Sequence, residues 1–389
     1  MTVAVEADAA LLDAVRRIAD DVAAPNAADV DREARFPSET IDALRAERAL
    51  SAFVPERFGG AGVSFEALAE ACFELGRRCG ASAMVFAMHQ IEVVTIVRHL
   101  DGNPYIEQWL RDLVAEQRLV ASITSEIGTG GDMGRSIAAV TPQGDGTATF
   151  EKQAPTVSYG AHADDFLTTV RSGPDADAGD QVLVLTRAEQ TEREQKGTWD
   201  PLGMRGTCSP GFTVRARFDE GQVLGTPFAT IMCESMVPVT HILWSHLWLG
   251  IATDAFDRAR AFTRAAARRT PGETPPAAQK LSRVMTDLSL LRAEVGSALR
   301  EFVAADEDRE QLHTFATKLR FNNLKIAASE TAPQVCQGAL GVGGIASFLN
   351  NTPFSVGRHL RDTMSAALMV TNERIHDTNA GLLLIAKDV

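Results

Sequence analysis

The chain has 389 residues, of which 45% are hydrophobic and 23% charged, the make-up of an ordinary globular protein long enough for two or three domains with their own cores. A formal net charge of −13 without a basic arm argues against nucleic acid as a partner and disfavours adhesion to anionic membranes. Five scattered cysteines, odd in number and without a C-x-x-C pair, argue against a disulfide scaffold or a metal motif.

The opening MTVAVEADAALLDAVRRIADDV reads as the lead-in to an amphipathic helix, not as a signal peptide with a basic start and an apolar core. No run reaches the roughly 18 apolar residues of a membrane span, so the expected location is the cytoplasm. Helical spacing marks the first 118 residues: Leu11, Leu12, Val15 and Ile18 recur at three and four, as do Phe65, Leu68, Cys72 and Leu75. Between them PERFGGAGVS (Pro55 to Ser64) forms a glycine-broken loop whose serine can cap the next helix. Ile91–Leu100 and Tyr105–Gln117 are predicted helices as well.

From Leu119 to Phe228 the period changes. LVASITS, TATFEK, DFLTTVRS, QVLVLTR and FTVRARF are short, β-branched and separated by turn residues, which predicts a compact β-barrel or sandwich. After Pro238 helical spacing returns, with long segments over Val239–Arg269, Ala277–Ala304 and Asp308–Gly338 and a last helix over Val356–Ala386, lengths that suit a bundle. The expected division is residues 1–118, 119–228 and 229–389: helical domain, β domain, helical bundle.

Ala121 to Ser136, ASITSEIGTGGDMGRS, is the most informative stretch. A strand ends in Thr124, Ser125 and Glu126 and empties into Gly128, Gly130 and Gly131. Glycine lets backbone N–H groups approach a ligand, and neighbouring hydroxyls can donate or accept. Such a strand end can cradle a heterocycle with a diphosphate, or be a tight turn and nothing more.

In this order of domains the chain resembles the acyl-CoA dehydrogenase flavoproteins over nearly its whole length. PERFGGAGVSFEALAEACFEL is similar to the family's glycine loop and following helix, and ITSEIGTGGD to its flavin-binding strand and turn. LGMRGTCS resembles the exit from the β domain, RRTPG with Gln279 the arginine turn that reaches a neighbouring subunit's FAD, and RHLRD the lead into the helix of the catalytic base. The resemblance implies an α+β multidomain fold: N-terminal α-helical domain, middle β-barrel domain and C-terminal four-helix bundle.

It further implies FAD as cofactor. Thr124 and Ser125 face the flavin pyrimidine edge, Gly130 and Gly131 lie in the glycine turn, and Ser158 stands near N5, where a donor stabilises arriving negative charge. Arg268 and Thr270 suit the diphosphate and Gln279 the adenosine portion, although Arg268 and Arg269 also fit a solvated helix end. Three residues depart from the family's pattern: Gly131 stands in place of a serine, Thr156 of a tryptophan and Pro271 of an aromatic.

The family's C-terminal glutamate position holds Val370, and the alternative position falls near Thr240 and His241; none is a carboxylate. Candidate bases are therefore His241, which titrates near neutrality but equally suits a hydrogen-bonded core role, and Glu373, one turn from Val370 but equally a solvent-facing acid. Glu234 is a further candidate, while Glu126 is expected to orient the flavin loop. The expected function is an FAD-dependent dehydrogenase that introduces an α,β double bond into an acyl thioester of coenzyme A or an acyl-carrier protein. Electron-transfer flavoprotein or another acceptor would take the electrons, and the arginine turn implies a homo-oligomer, dimer or tetramer. Absence of the glutamate favours a flavin-dependent monooxygenase on the same scaffold; a non-redox thioester-binding homologue is the third possibility.

Overall fold

The computed structural model describes residues 2–269 and 271–387. Helix α1 (Thr2–Ile18) continues through a π turn into α2 (Ala24–Glu33), followed by α3 (Ser38–Ala46), α4 (Phe65–Arg78), α5 (Gly80–Arg98) and α6 (Pro104–Glu116). Their starts follow side-chain chemistry. The Ser64 hydroxyl accepts from the Ala67 N–H at 3.1 Å, and Asn103 accepts from Tyr105 with Pro104 in the first turn of α6.

The strands are β1 (Val120–Ile123), β2 (Thr141–Pro142), β3 (Thr147–Ala154), β4 (Asp165–Arg171), β5 (Gln181–Arg187), β6 (Thr191–Lys196) and β7 (Gly211–Asp219). They form two sheets, β1-β4-β5 and β2-β3-β7-β6; β1 runs parallel to β4 with Val120 opposite Asp165, and the other pairings are antiparallel. Strand β6 (TEREQK) was invisible to alternation because it is an edge strand with only Thr191 buried.

Then follow α7 (Phe228–Ile231), α8 (Val237–Arg269), α9 (Pro276–Ala305), α10 (Phe315–Gly343), α11 (Ile345–Phe348), α12 (Gly357–Met364) and α13 (Asn372–Ile385). Helices α4 and α8 approach closely because both carry glycine at the crossing: a Cβ on Gly76 would lie 2.4 Å from the Leu247 carbonyl, and one on Gly250 2.3 Å from that of Phe73. One continuous core joins Leu68, Val93 and Trp109 to Phe166, Trp248 and Leu324.

Two expectations are corrected. The single last helix is two, α12 and α13, separated by a turn over residues 365–371. No glycine or proline marks that break; it is held from outside, by the buried Lys325 ammonium donating to the Val370 carbonyl at 2.8 Å and to Asn372 Oδ1 at 2.7 Å. The segment expected to be helical from Asp308 begins as a 3-10 turn, Arg309–His313, before α10 starts under a Thr314 cap. Helix α5 is long and apolar enough to cross a membrane, yet 89% of its most apolar window is buried within the fold.

Candidate functional site

Strand β1 delivers Thr124 and Ser125 to the mouth of the glycine turn. Gly130 and Gly131 have φ of +63° and +82°, the left-handed region that glycine enters without steric cost. Glu126 holds this loop. Its carboxylate accepts from the Ser136 hydroxyl at 2.6 Å, the Ile137 N–H at 3.1 Å and the Ala138 N–H at 2.7 Å, and the buried Lys152 ammonium lies 3.6 Å away. Burial pushes Lys152 down to about 8 against the pull of Glu126. Loop orientation is thus the role Glu126 fills.

Beside the strand end lies a cavity of about 480 Å³ walled by Thr124, Ser125, Thr156, Ser158 and Trp199 together with α12. Its hydroxyls are tied together: Ser125 donates to the Thr156 carbonyl at 2.8 Å, and Ser209 donates to Ser158 at 3.0 Å while also contacting Thr207 at 2.9 Å. Asp362, pushed up to about 6 by burial, accepts from the Met204 N–H at 2.7 Å and binds the exit loop to α12. Gly203 is required there, since a Cβ would lie 2.0 Å from the Arg361 carbonyl. Trp199 lines this cavity, and its buried Nε1 has no acceptor among the described residues.

A second cavity, about 290 Å³, adjoins the first through five shared side chains: Met88, Ser122, Thr124, Trp244 and Val370. Its walls are largely apolar, Ile91, Met236 and Phe321 among them, but it also holds Glu92 and His241. Glu92, on α5, is 1% exposed, and neither carboxylate oxygen has a hydrogen-bond partner among the described residues. Burial pushes its carboxyl up to about 8, while the Ser122 hydroxyl pulls the other way. His241 places Nδ1 3.0 Å from the Phe321 carbonyl, which can only accept, so Nδ1 carries the proton and Nε2 a lone pair. Burial holds this imidazole down at about 3, hence neutral.

Val370 sits where the cavities meet, in the left-handed region at φ +48°, an uncommon conformation for a β-branched side chain. Arg374, in the first turn of α13, lines the second cavity and donates to the Gly130 carbonyl, laying its guanidinium over the glycine turn.

The structure therefore brings together Thr124, Ser125 and Ser158 on the first cavity and His241 and Gly131 on the second, with Gly130 in the turn beneath Arg374. Glu373 lies elsewhere: it is exposed in the first turn of α13, where an acid complements the helix dipole, and lines neither cavity. Glu234 is engaged by His313 at 2.9 Å and Arg309 at 3.8 Å. Arg268, in the last turn of α8, and Gln279, in the first turn of α9, are exposed and line neither cavity of their own chain; Thr270 lies outside the described residues. Sequence reasoning passed over Glu92, Arg374 and Lys318, which all line the second cavity. The signal for Glu92 was present: it is the one carboxylate between Gly80 and Val97, inside an otherwise apolar helix.

A helix–sheet–helix chain with a hydroxyl-lined slot at a glycine turn is the architecture of a flavin-dependent oxidoreductase. The profile described as acyl-CoA dehydrogenase, N-terminal domain, matches residues 6–117, and that of the C-terminal domain matches 239–372. This chain belongs to the acyl-CoA dehydrogenase family, a family of flavoprotein oxidoreductases. Among curated relatives it is 24% identical to a probable FMNH2-dependent monooxygenase, SfnC, of Pseudomonas putida, over 91% of this chain and 90% of that protein. It is likewise 24% identical to cyclohexane-1-carbonyl-CoA dehydrogenase of Geobacter metallireducens, over 90% and 89%. Two solved structures share the fold. One is KijD3 in complex with dTDP (TM-score 0.84, 24% identity, 97% of each chain). The other is FMN-bound TdsC from Paenibacillus sp. A11-2 (TM-score 0.81, 22% identity, 96% of this chain and 97% of that one).

Proposed function

We propose that this protein is a flavin-dependent monooxygenase that oxygenates a small organic substrate in the Glu92 cavity, beside a flavin in the Trp199 cavity. The observation that carries this reading is the shared wall. Val370 stands there, and among the described residues none of the five side chains shared by the two cavities is a carboxylate that could remove an α-proton. Glu92 holds its proton at neutral pH and Glu373 points to solvent, so the chain is poorly equipped for thioester dehydrogenation. The name of the P. putida relative supports the same direction.

The residues fit a flavin. A cavity with Thr124, Ser125 and Ser158 suits its polar edge, and the Trp199 N–H is a donor that lacks a partner among the described residues. Reduced flavin supplies two electrons for dioxygen, of which one oxygen atom enters the substrate and the other leaves as water. Ser158, itself accepting from Ser209, positions a hydroxyl at the slot; Met88, Trp244 and Val370 separate slot from substrate space and exclude water. FMN is favoured over FAD. Gly131 offers only backbone to a phosphate, Arg374 supplies a guanidinium at the turn, and the diphosphate contact of Arg268 and the adenosine contact of Gln279 require a second copy of the chain.

A dehydrogenase acting on acyl-CoA or an acyl-carrier protein, with electron-transfer flavoprotein as acceptor, is the second reading, and Glu92 favours it as a carboxyl inside the cavity. Its activity would then rise with pH through about 8, as Glu92 ionises. The test is flavin reduction under anaerobic conditions with a panel of acyl thioesters, set beside oxygen-dependent product formation with reduced FMN. Bleaching with enoyl product overturns the oxygenase. Equilibrium dialysis decides the nucleotide: Gln279→Ala weakens binding of FAD only if the adenosine half is held.

A further inference from the structure

We propose that Lys325 is a positioning residue for this site: from α10 its ammonium fixes the turn between α12 and α13, and through that turn Val370 in the shared wall and Arg374 over the glycine turn. This rests on the two cavities being the flavin and substrate sites. The Lys325 side chain is fully buried and donates to the Val370 carbonyl at 2.8 Å and to Asn372 Oδ1 at 2.7 Å. Asn372 opens α13, so the two bonds grip the chain on either side of the point where that helix starts. Further along, Asn322 donates to Asn379 at 2.7 Å and Asn379 to Asn323 at 3.0 Å, giving α10 a second grip on α13. Arg374, Ile375 and Thr378, which lie between the two grips, all line the second cavity.

A β-branched residue at φ +48° persists only where its surroundings impose the conformation, and a charge-assisted hydrogen bond to its carbonyl does so strongly. Both acceptors of Lys325 are neutral, an unfavourable setting for a buried cation and one that holds a single backbone arrangement. The charged groups around it are few. Glu330, on the same helix, accepts from Asn372 Nδ2 at 3.2 Å. His241, on α8, is held neutral by burial and in smaller part by the Lys325 charge, and Arg374, on α13, is committed to Gly130. Burial pushes the ammonium down to about 8 against the pull of Glu330. Above that pH an amine remains, which still donates but without the charge that strengthens both bonds.

The test combines hydrogen exchange over residues 365–379, read by mass spectrometry, with FMN titration by flavin fluorescence at pH 7 and pH 9. In Lys325→Met, which keeps the length of the side chain and removes its donors, that segment is expected to exchange about tenfold faster than in wild type while α4 and the sheets keep their protection. FMN should bind about tenfold more weakly to this variant, equally at both pH values. Wild type should bind FMN about fivefold more weakly at pH 9 than at pH 7, because Lys325 loses its proton between them. Asn372→Asp places a carboxylate against the ammonium, keeps it charged and abolishes that drop; a lysine that served only packing would give no pH step for one neighbouring acid to remove. Unchanged exchange in Lys325→Met, an FMN affinity that this variant leaves unmoved, or a pH step that survives in either variant would overturn the proposal. Wild type that binds no FMN overturns the flavin reading instead, and the exchange result still decides the clamp.

Discussion

The two cavities share a wall and differ in how their polar groups are satisfied. Around Trp199 the hydroxyls bond one another and the backbone, Ser209 to Ser158 and Ser125 to Thr156, while the buried indole N–H groups of Trp199 and Trp244 have no acceptor among the described residues. Around Glu92 the lining is largely apolar and moves Glu92 up to about 8 and His241, whose Nδ1 is bonded to Phe321, down to about 3. A slot whose donors are already oriented suits a cofactor that arrives in one pose. An apolar space with few polar groups discriminates among substrates, because desolvation makes a mismatch costly.

The largest effect should come from the support beneath the first cavity. Glu126→Ala strands Lys152 and three donors, and should cost roughly 3–5 kcal/mol; urea unfolding checks the loss, and an unchanged midpoint would break the picture of a pre-organised slot.

In the second cavity, Glu92 is protonated when folded at pH values where an unfolded glutamate, near 4.5, has ionised. The folded state then binds the extra proton, so stability falls as pH rises from 4.5 to about 8 and the full penalty stands above that. Glu92→Gln should therefore match wild type at pH 4 and exceed it by roughly 3 kcal/mol at pH 9. Parallel denaturation curves at the two pH values test this; equal offsets would show that Glu92 is paired.

Trp199→Phe keeps the ring and removes the orphan donor. Flavin affinity should drop about tenfold with little change in folding, and fluorescence titration with FMN distinguishes this from a purely packing role. The smallest change expected is at the wall: Val370→Gly relieves a left-handed β-branched residue and should raise stability by about 0.5–1 kcal/mol. A loss instead would mean that the side chain's contact with both cavities outweighs the backbone strain.

Local chemistry wrote much of this protein into its sequence. The change from helical to strand periodicity, the serine and asparagine caps, and the run from β1 into three glycines depend on neighbours a few residues apart, and they led to the family and to Thr124, Ser125 and Ser158. Glu126 was legible as a loop-orienting acid for the same reason. What stayed hidden depends on distant partners. The break between α12 and α13 is held by Lys325 from α10, which no spacing rule registers. Glu373 lies one helical turn from Val370 along the sequence, yet the left-handed backbone at Val370 resets the helix phase and leaves the acid in solvent. Glu92 was visible as an oddity, but that it is buried beside a cavity followed only from how α5, α8 and α10 pack around it. Sequence alone determined the scaffold and the cradle, because both rest on short-range backbone and capping preferences. Tertiary structure decided which ionisable groups face the chemistry, because burial and pairing are set by residues far apart in the chain.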